Sequence, residues 1–383
     1  MKTATQVCRI LTGILFIISG FIKANDTLGF SYKLEEYFEI FQKEFPLPKF
    51  FIIGWTDFAH MAEPLSMFIC IFEIMVGVAL LAGAYTRLTS WLLMLMMIFF
   101  TILTGYSAIT HKVTDCGCFG DAIKFTPFGS FLKDIVLLIF SAFIFTGQKH
   151  ITPLFNKGIQ GLAIFVALVV TVFFTFYTYM FLPRIDFLPY KTGNDIRKMM
   201  EYPPGAVRDS FQMVFIYEKN GQQLELGVND LGKVDDTYKF IDRKDKLIRE
   251  GFKPPIHDFR IYEAGGMEYT DSMLNDPKFK LILVQKNIHE SRKNMEPLLA
   301  QLADTWQKSG NKFWALTASP LNEVEIYRHE NQLPYPYYNM DGTPLKSMVR
   351  SNPGMILMHG TVVVKKWSAY NLPTFETVQK YMR

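Results

Sequence analysis

The sequence predicts a membrane-embedded α-helical bundle of about five transmembrane helices that carries an α/β domain beyond the bilayer. Three observations predict it. The first half is apolar and aromatic while the second is ordinarily charged, and the mean hydropathy of +0.12 averages the two. Five apolar runs in the first half each come close to the roughly 17 to 25 residues that a helix needs to cross the hydrocarbon layer. After Pro183 strand-like and helix-like stretches alternate, and then two strands pair, which is the order a small α/β domain with a mixed sheet requires. At 383 residues the chain has room for two or three domains.

The first run, Gln6 to Ile22, starts between Lys2 and Arg9 and lacks the small-residue cleavage site of a secretory signal, so it reads as a retained membrane helix. The others are Pro64 to Ala84, Thr89 to Ile109, Ser130 to Thr146 and Leu162 to Leu182. An odd number of spans puts the two chain ends on opposite sides. Lys2 and Arg9 ahead of the first helix place the N-terminus in the cytoplasm, and the loop around Cys116 and everything after Pro183 outside it. Between the first two runs, Ser31 to Gln42 sets Tyr32, Leu34, Tyr37, Phe38 and Phe41 mostly along one helical face, as an interfacial helix or one packed on the bundle.

Past the last run, Phe211 to Tyr217 and Gln222 to Leu226 flank an Asn-Gly turn and read as a hairpin. Lys280 to Gln285 reads as a strand, Asn294 to Lys308 as a helix, Lys312 to Ala318 as a strand and Leu321 to Asn331 as a helix. Met355 to Met358 and Thr361 to Trp367 form a final hairpin, and Pro373 to Tyr381 a closing helix. The domain reading is residues 1–150 for a four-helix membrane unit, 158–183 for the fifth helix, 184–250 for a β-rich connector and 251–383 for the α/β domain.

A formal charge of +4, with no basic stripe carrying interleaved aromatics, excludes nucleic acid as an expected partner. Four cysteines are too few for a disulfide scaffold of this length, and their spacing matches no zinc ribbon or finger. Two of them, Cys116 and Cys118, sit one glycine apart in the polar loop Thr114 to Asp121, between apolar runs. Thiols that close together can bridge only in a small strained ring, which makes a reactive oxidant of the pair. Asp115 and Asp121 disfavour the thiolates, whereas Lys112 and Lys124 favour them. The pair is therefore a redox site or a structural turn. A soft metal held with His111 has no characteristic ligand spacing behind it, and no metal is assigned. Cys8 and Cys70 read as buried small apolar residues. Glu73 lies in the middle of a span, where an ionisable group is costly and must find a donor inside the bundle. Thr12, Ser19, Thr101 and Thr104 are the candidate donors, and a quinone head group is a candidate contact.

The first half resembles the DoxX and MauE group of small bacterial membrane proteins. The resemblance is carried by Arg9 to Gly13, Ser19 to Lys23, Glu73 and Gly77, the Tyr85-Thr86-Arg87 turn and Asp115-Cys116-Gly117-Cys118-Phe119-Gly120-Asp121. It implies thiol redox at the bacterial inner membrane, often through a quinone, and maturation of exported cysteine-containing proteins; with the orientation read from Lys2 and Arg9, the C-terminal domain is expected to be periplasmic. The order of elements after Gly251, with Asn352-Pro353 directly before a strand, resembles a thioredoxin fold, in which a cis proline faces the active site. The stretch Pro254 to Ile261, with Gly265-Gly266 and Thr270-Asp271, resembles the lead-in of membrane-tethered, peroxiredoxin-like members. Where redox members carry Cys-x-x-Cys, this chain reads Asn287-Ile288-His289-Glu290-Ser291-Arg292, and no cysteine follows Cys118. Such a domain cannot exchange thiols by itself. Cys116, Cys118 and Glu73 are therefore the candidate catalytic residues, and His289, Arg292 and Pro353 the candidate contacts for a partner. That partner is an exported thiol-containing protein or an envelope assembly, with the lipid bilayer around the bundle. The alternative is a non-enzymatic scaffold whose cysteine loop is only a turn.

Overall fold

The computed structural model describes residues 2–45, 54–113, 117, 119–123, 125–219, 221–235, 237–249 and 251–382. Its N-terminal half contains α1 (Lys2–Asn25), α2 (Thr27–Glu44), α3 (Trp55–His60), α4 (Ala62–Ala82), α5 (Thr86–Thr110), α6 (Pro127–Thr146) and α7 (Lys157–Phe181). Among these, α1, α4, α5, α6 and α7 are long and apolar enough to cross a membrane. Small residues let the first two approach closely, as helices in lipid require. A Cβ at Gly13 would stand 2.7 Å from Leu81, and one at Gly77 would stand 2.9 Å from the Gly13 carbonyl. Outward faces remain apolar, as at Phe165, Val169 and Phe173 of α7.

Of the two readings for Ser31 to Gln42, the packed one holds. Helix α2 is capped by Asp26, whose carboxylate accepts from the Gly29 amide at 2.9 Å. It buries Phe30 and Leu34 against Ala62, Cys70 and Ile74 of α4. Where α7 leaves the bundle, the Asn25 side chain accepts from the Arg184 and Ile185 amides at 3.1 and 3.0 Å, tying the exit to the end of α1.

The C-terminal domain is built on α9 (Thr270–Leu274), β4 (Phe279–Val284), α10 (Glu296–Lys308), β5 (Lys312–Thr317), α11 (Leu321–Glu330), β6 (Tyr337–Asn339), α12 (Gly342–Met348), β7 (Gly354–His359), β8 (Val362–Ser368) and α13 (Phe375–Gln379). The sheet order is β6-β5-β4-β7-β8, with β4, β5 and β6 parallel and β7 and β8 antiparallel. Central β4 is buried on both faces, which is why it reads as one apolar run. Leu281 and Leu283 face Trp306 and Leu299 of α10, while Ile282 and Val284 face Ile256, Phe259, Leu345 and Met348. The Asn352–Pro353 bond that leads into β7 is cis. A parallel β-α-β unit, an antiparallel hairpin and a cis proline before the hairpin make this domain thioredoxin-like.

The stretch assigned to the connector divides. Its first part, with Tyr190 and with Ile196 of α8 (Ile196–Met200), packs into the α/β core, and the Gly193 amide donates to Val363 at 2.8 Å. The rest is a meander of β1 (Ser210–Lys219), β2 (Gln222–Gly227) and β3 (Lys239–Arg249), ordered β2-β1-β3. No sequence signal foretold β3, because Asp242, Arg243, Lys244 and Asp245 are exposed in succession and the strand shows no apolar alternation.

Candidate functional site

Cys116 and Cys118 lie outside the described residues, as do Thr114, Asp115 and Lys124; their surroundings are described. Gly117 takes φ +64°, a conformation that favours glycine, and a Cβ there would stand 3.2 Å from the Lys33 side chain of α2. Two tight turns follow, from the Gly120 amide to the Gly117 carbonyl and from the Ala122 amide to the Phe119 carbonyl. Phe119 is buried, with Lys133 Nζ 5.7 Å from its ring centre. On the far side of the loop, His111 caps the end of α5, and Lys112 and Tyr106 both reach the Glu44 carboxylate.

Beneath the loop lies a polar cluster inside the bundle. The partner of Glu73 is Lys23, at 2.6 Å, and both side chains are about 3–4 % exposed. This corrects the expected hydroxyl donors. Thr101 donates to the Met97 carbonyl, Thr104 donates to Asp134 at 3.0 Å, and Thr12 has no hydrogen-bond partner among the described residues. Lys23 ends an apolar run and looks in sequence like a flanking charge pointing to water. Helix α1 instead continues to Asn25, and α2 folds back over it, so the ammonium turns inward and lies 4.9 Å from the centre of the Phe100 ring. Asp134 pairs with the neighbouring Lys133. Both ion pairs and Phe119 line one cavity of about 60 Å³. Cys8 and Cys70 are buried free thiols, as expected of small apolar residues.

The thioredoxin-like domain sits on this end of the bundle, cis-proline side inward. Arg350, between α12 and Pro353, puts Nε 2.9 Å from Asp26 and Nη2 2.7 Å from Asp121. Lys346 pairs with Glu35 at 3.2 Å, and Lys286 donates to the Tyr32 hydroxyl. The three cations surround the Tyr32 ring, at 4.4 Å for Lys346, 4.8 Å for Lys286 and 5.5 Å for Arg350. Burial pushes the Tyr32 phenol above its ordinary range, and it raises the Glu35 carboxyl in spite of Lys346. Burial, with Arg350 and Lys346 adding repulsion, pulls Lys286 down to about 7. None of these residues was singled out from sequence apart from Asp121, Tyr32 on its helical face and the general run of charge; long-range pairing leaves no local pattern.

The predicted partner contacts surround the same place. Pro353 is buried, and the Asn352 amide group donates to the Asn287 carbonyl at 2.8 Å. His289 is exposed, 2.9 Å from Glu323. Arg292 donates to the Ala369 carbonyl at 3.0 Å and stacks 4.1 Å from the centre of the Tyr370 ring, which commits its guanidinium to its own domain.

Residues 1–147 match the model of the family described as methylamine utilisation protein MauE, a membrane protein family. Residues 211–250, the meander, match a domain family of unknown function, DUF8463. No curated protein matches the chain. A solution structure from Bacteroides thetaiotaomicron, assigned provisionally to the protein disulfide isomerases, aligns over 33 % of this chain and 83 % of its own, at 18 % identity and a TM-score of 0.28. The protein thus combines a MauE-like membrane half with a thioredoxin-like domain, the latter defined by its own strand order and cis proline.

Proposed function

We propose that the chain carries out thiol–disulfide exchange at the outer face of the bacterial inner membrane. Cys116 and Cys118 are the reactive pair, and the cysteine-free thioredoxin-like domain stands over them in the periplasm. The observation that carries this reading is Arg350: the loop before the cis proline reaches across to Asp121, three residues past Cys118, and to Asp26. A domain without thiols is fastened beside the loop that has them. The MauE-like match of the membrane half and the thioredoxin-like topology of the other both fit redox work at a membrane.

The exchange balances without any further reactant. A dithiol of an exported protein attacks a loop disulfide through one thiolate; the loop S–S bond breaks, a mixed disulfide forms and resolves, and the partner leaves as a disulfide. Two electrons and two protons pass to the loop sulfurs, which end as thiols. Glu73, ion-paired to Lys23, lines the same cavity as Phe119 of the loop and is the acid of the bundle assigned to this site. The cavity beside it, about 60 Å³, has room for a few waters. In this reading a quinone reached from the bilayer is the reoxidant.

Replacing Cys116 by serine tests the reading. Exported dithiol proteins accumulate in reduced form in that strain if the pair is catalytic. Under the scaffold reading, their redox state is unchanged while substitutions around Asn287 and Pro353 abolish partner binding.

A further inference from the structure

Where α7 leaves the bundle there is a cavity of about 580 Å³, within the usual range for small-ligand sites. One wall is the end of a membrane-spanning helix, with Tyr177 and Phe181. Another is β8 of the thioredoxin-like domain, with Lys365 and Lys366, and the chain from Pro183 to Thr192 supplies most of the rest.

Five cations line the cavity, Arg184, Lys191, Arg350, Lys365 and Lys366, against one carboxylate, Asp186. Arg350 is also answered by Asp26 and Asp121 from outside the lining, so the full count is five cations to three carboxylates, an excess of two. Asp186 has nothing left to give: it holds Lys366 at 2.6 Å, and its other oxygen accepts from the Leu188 amide at 3.0 Å. Lys365 has its ammonium 5.5 Å from the centre of the Tyr381 ring. Arg184 and Lys191 are exposed and join none of the ion pairs among the described residues, which leaves their charged ends open to a ligand.

The position of these charges points to the bilayer surface. Asn25 holds the Arg184 backbone, and the guanidinium folds back to the Tyr177 hydroxyl at 3.2 Å, onto the last turns of the span. Ile185 and Phe187, just past the end of α7, are exposed apolar side chains, which suits the boundary between hydrocarbon and water. From the cavity an aromatic stripe runs down the helix. Phe181 lies 5.2 Å from Tyr177, and Tyr177 lies 6.3 Å from Phe173, which is 70 % exposed on the lipid-facing side.

We propose that this cavity binds the phosphodiester headgroup of an anionic phospholipid, with Arg184 and Lys191 on the phosphate and an acyl chain along Phe181, Tyr177 and Phe173. Basic pockets at the ends of membrane helices take such headgroups. A soluble phosphate answers the charge and leaves the apolar stripe unused. A zwitterionic lipid brings a cation of its own, which the excess of positive charge disfavours. Burial, with Arg350 adding repulsion, pulls the Lys366 ammonium below its ordinary range in spite of Asp186, and a phosphate nearby offsets that repulsion. The bound lipid joins the end of α7 to β8, so the membrane itself helps to seat the thioredoxin-like domain.

The test uses the full chain in detergent and native mass spectrometry, titrating dioleoylphosphatidylglycerol and, separately, dioleoylphosphatidylcholine. The first phosphatidylglycerol binds about tenfold more tightly than the first phosphatidylcholine. Arg184→Gln with Lys191→Gln reduces that preference to about twofold or less. Lys149→Gln with Lys157→Gln, exposed and at the opposite end of the bundle, keeps it. Equal affinity for the two lipids overturns the proposal. So does a preference that survives the Arg184 and Lys191 changes, or one that falls as far with the Lys149 and Lys157 changes. Glycerol phosphate, the headgroup without chains, is expected to displace the lipid only at far higher concentration; displacement at concentrations matching the lipid makes this a soluble-anion site and overturns the lipid assignment. If the Arg184 and Lys191 variant fails to fold, the two lipids on the wild type decide. The inference stands apart from the redox reading, since the lipid preference is expected unchanged in Cys116→Ser and either can fail alone.

Discussion

Charges are held in two different ways a short distance apart. Inside the bundle, Lys23 and Glu73 form an ion pair at 2.6 Å, Lys133 and Asp134 form another, and both line a cavity of only about 60 Å³. Between the halves, three cations share one phenol beside a cavity nearly ten times larger, and one of them, Lys286, makes no ion pair among the described residues. In hydrocarbon an unanswered charge cannot be tolerated, so the bundle closes its account internally. At the solvent-facing seam a lysine without a direct ion pair survives, because burial and the neighbouring cations lower its hold on the proton.

The strongest way to break this contrast is to unpair the bundle. Glu73→Ala takes from buried Lys23 the carboxylate that faces it at 2.6 Å and is expected to cost about 3–5 kcal/mol, read as a lowered unfolding midpoint in detergent. The Lys23→Met, Glu73→Leu double variant recovers most of that loss; a double variant no more stable than the single one shows that the pair is not what the bundle depends on. Next in size is Arg350→Ala, which removes a guanidinium from two carboxylates and is expected to weaken the seam by about 3 kcal/mol. Alkylation of the cysteine loop should quicken in that variant and in Asp121→Asn. Loop alkylation unchanged in both would mean that the domain does not govern the loop.

A smaller effect comes from pH. With Lys286 titrating near 7 in the folded chain and in the ordinary lysine range when unfolded, the unfolded chain holds the extra proton between those values. Stability therefore rises with pH from about 7 toward 10, by at most about 1.4 kcal/mol per pH unit, and falls back below 7 to a constant penalty. Lys286→Met should flatten this profile, and a slope that persists in it would assign the effect elsewhere. The smallest effect is at His289. Its ion pair with Glu323 is exposed, and His289→Ala should shift stability by less than about 0.5 kcal/mol.

What was legible in the sequence follows the same division. Hydropathy located all five spans, and apolar runs of strand length located β4 and β5, because burial writes itself into consecutive residues. The cis proline was expected through the thioredoxin resemblance that Asn352-Pro353 ahead of a strand carries. Lys23 was not, since a lysine at the end of an apolar run looks the same whether it reaches out to water or turns in to an acid. Glu73 was rightly placed inside the bundle and wrongly given hydroxyl donors for that reason. Arg350, Asp26 and Lys286 were invisible because their partners lie hundreds of residues away and no periodicity connects them. The short β6 and α12 went unread, although α12 delivers Lys346 and leads to Arg350.

The central claim is that the loop of Cys116 and Cys118 works as a redox pair under the thioredoxin-like domain. Mass-shift alkylation of the two cysteines in native membranes, with the respiratory chain running and inhibited, tests it most directly. The account predicts a pair that is largely disulfide during respiration and shifts to free thiols when respiration stops. A pair found in one fixed state under both conditions would contradict it.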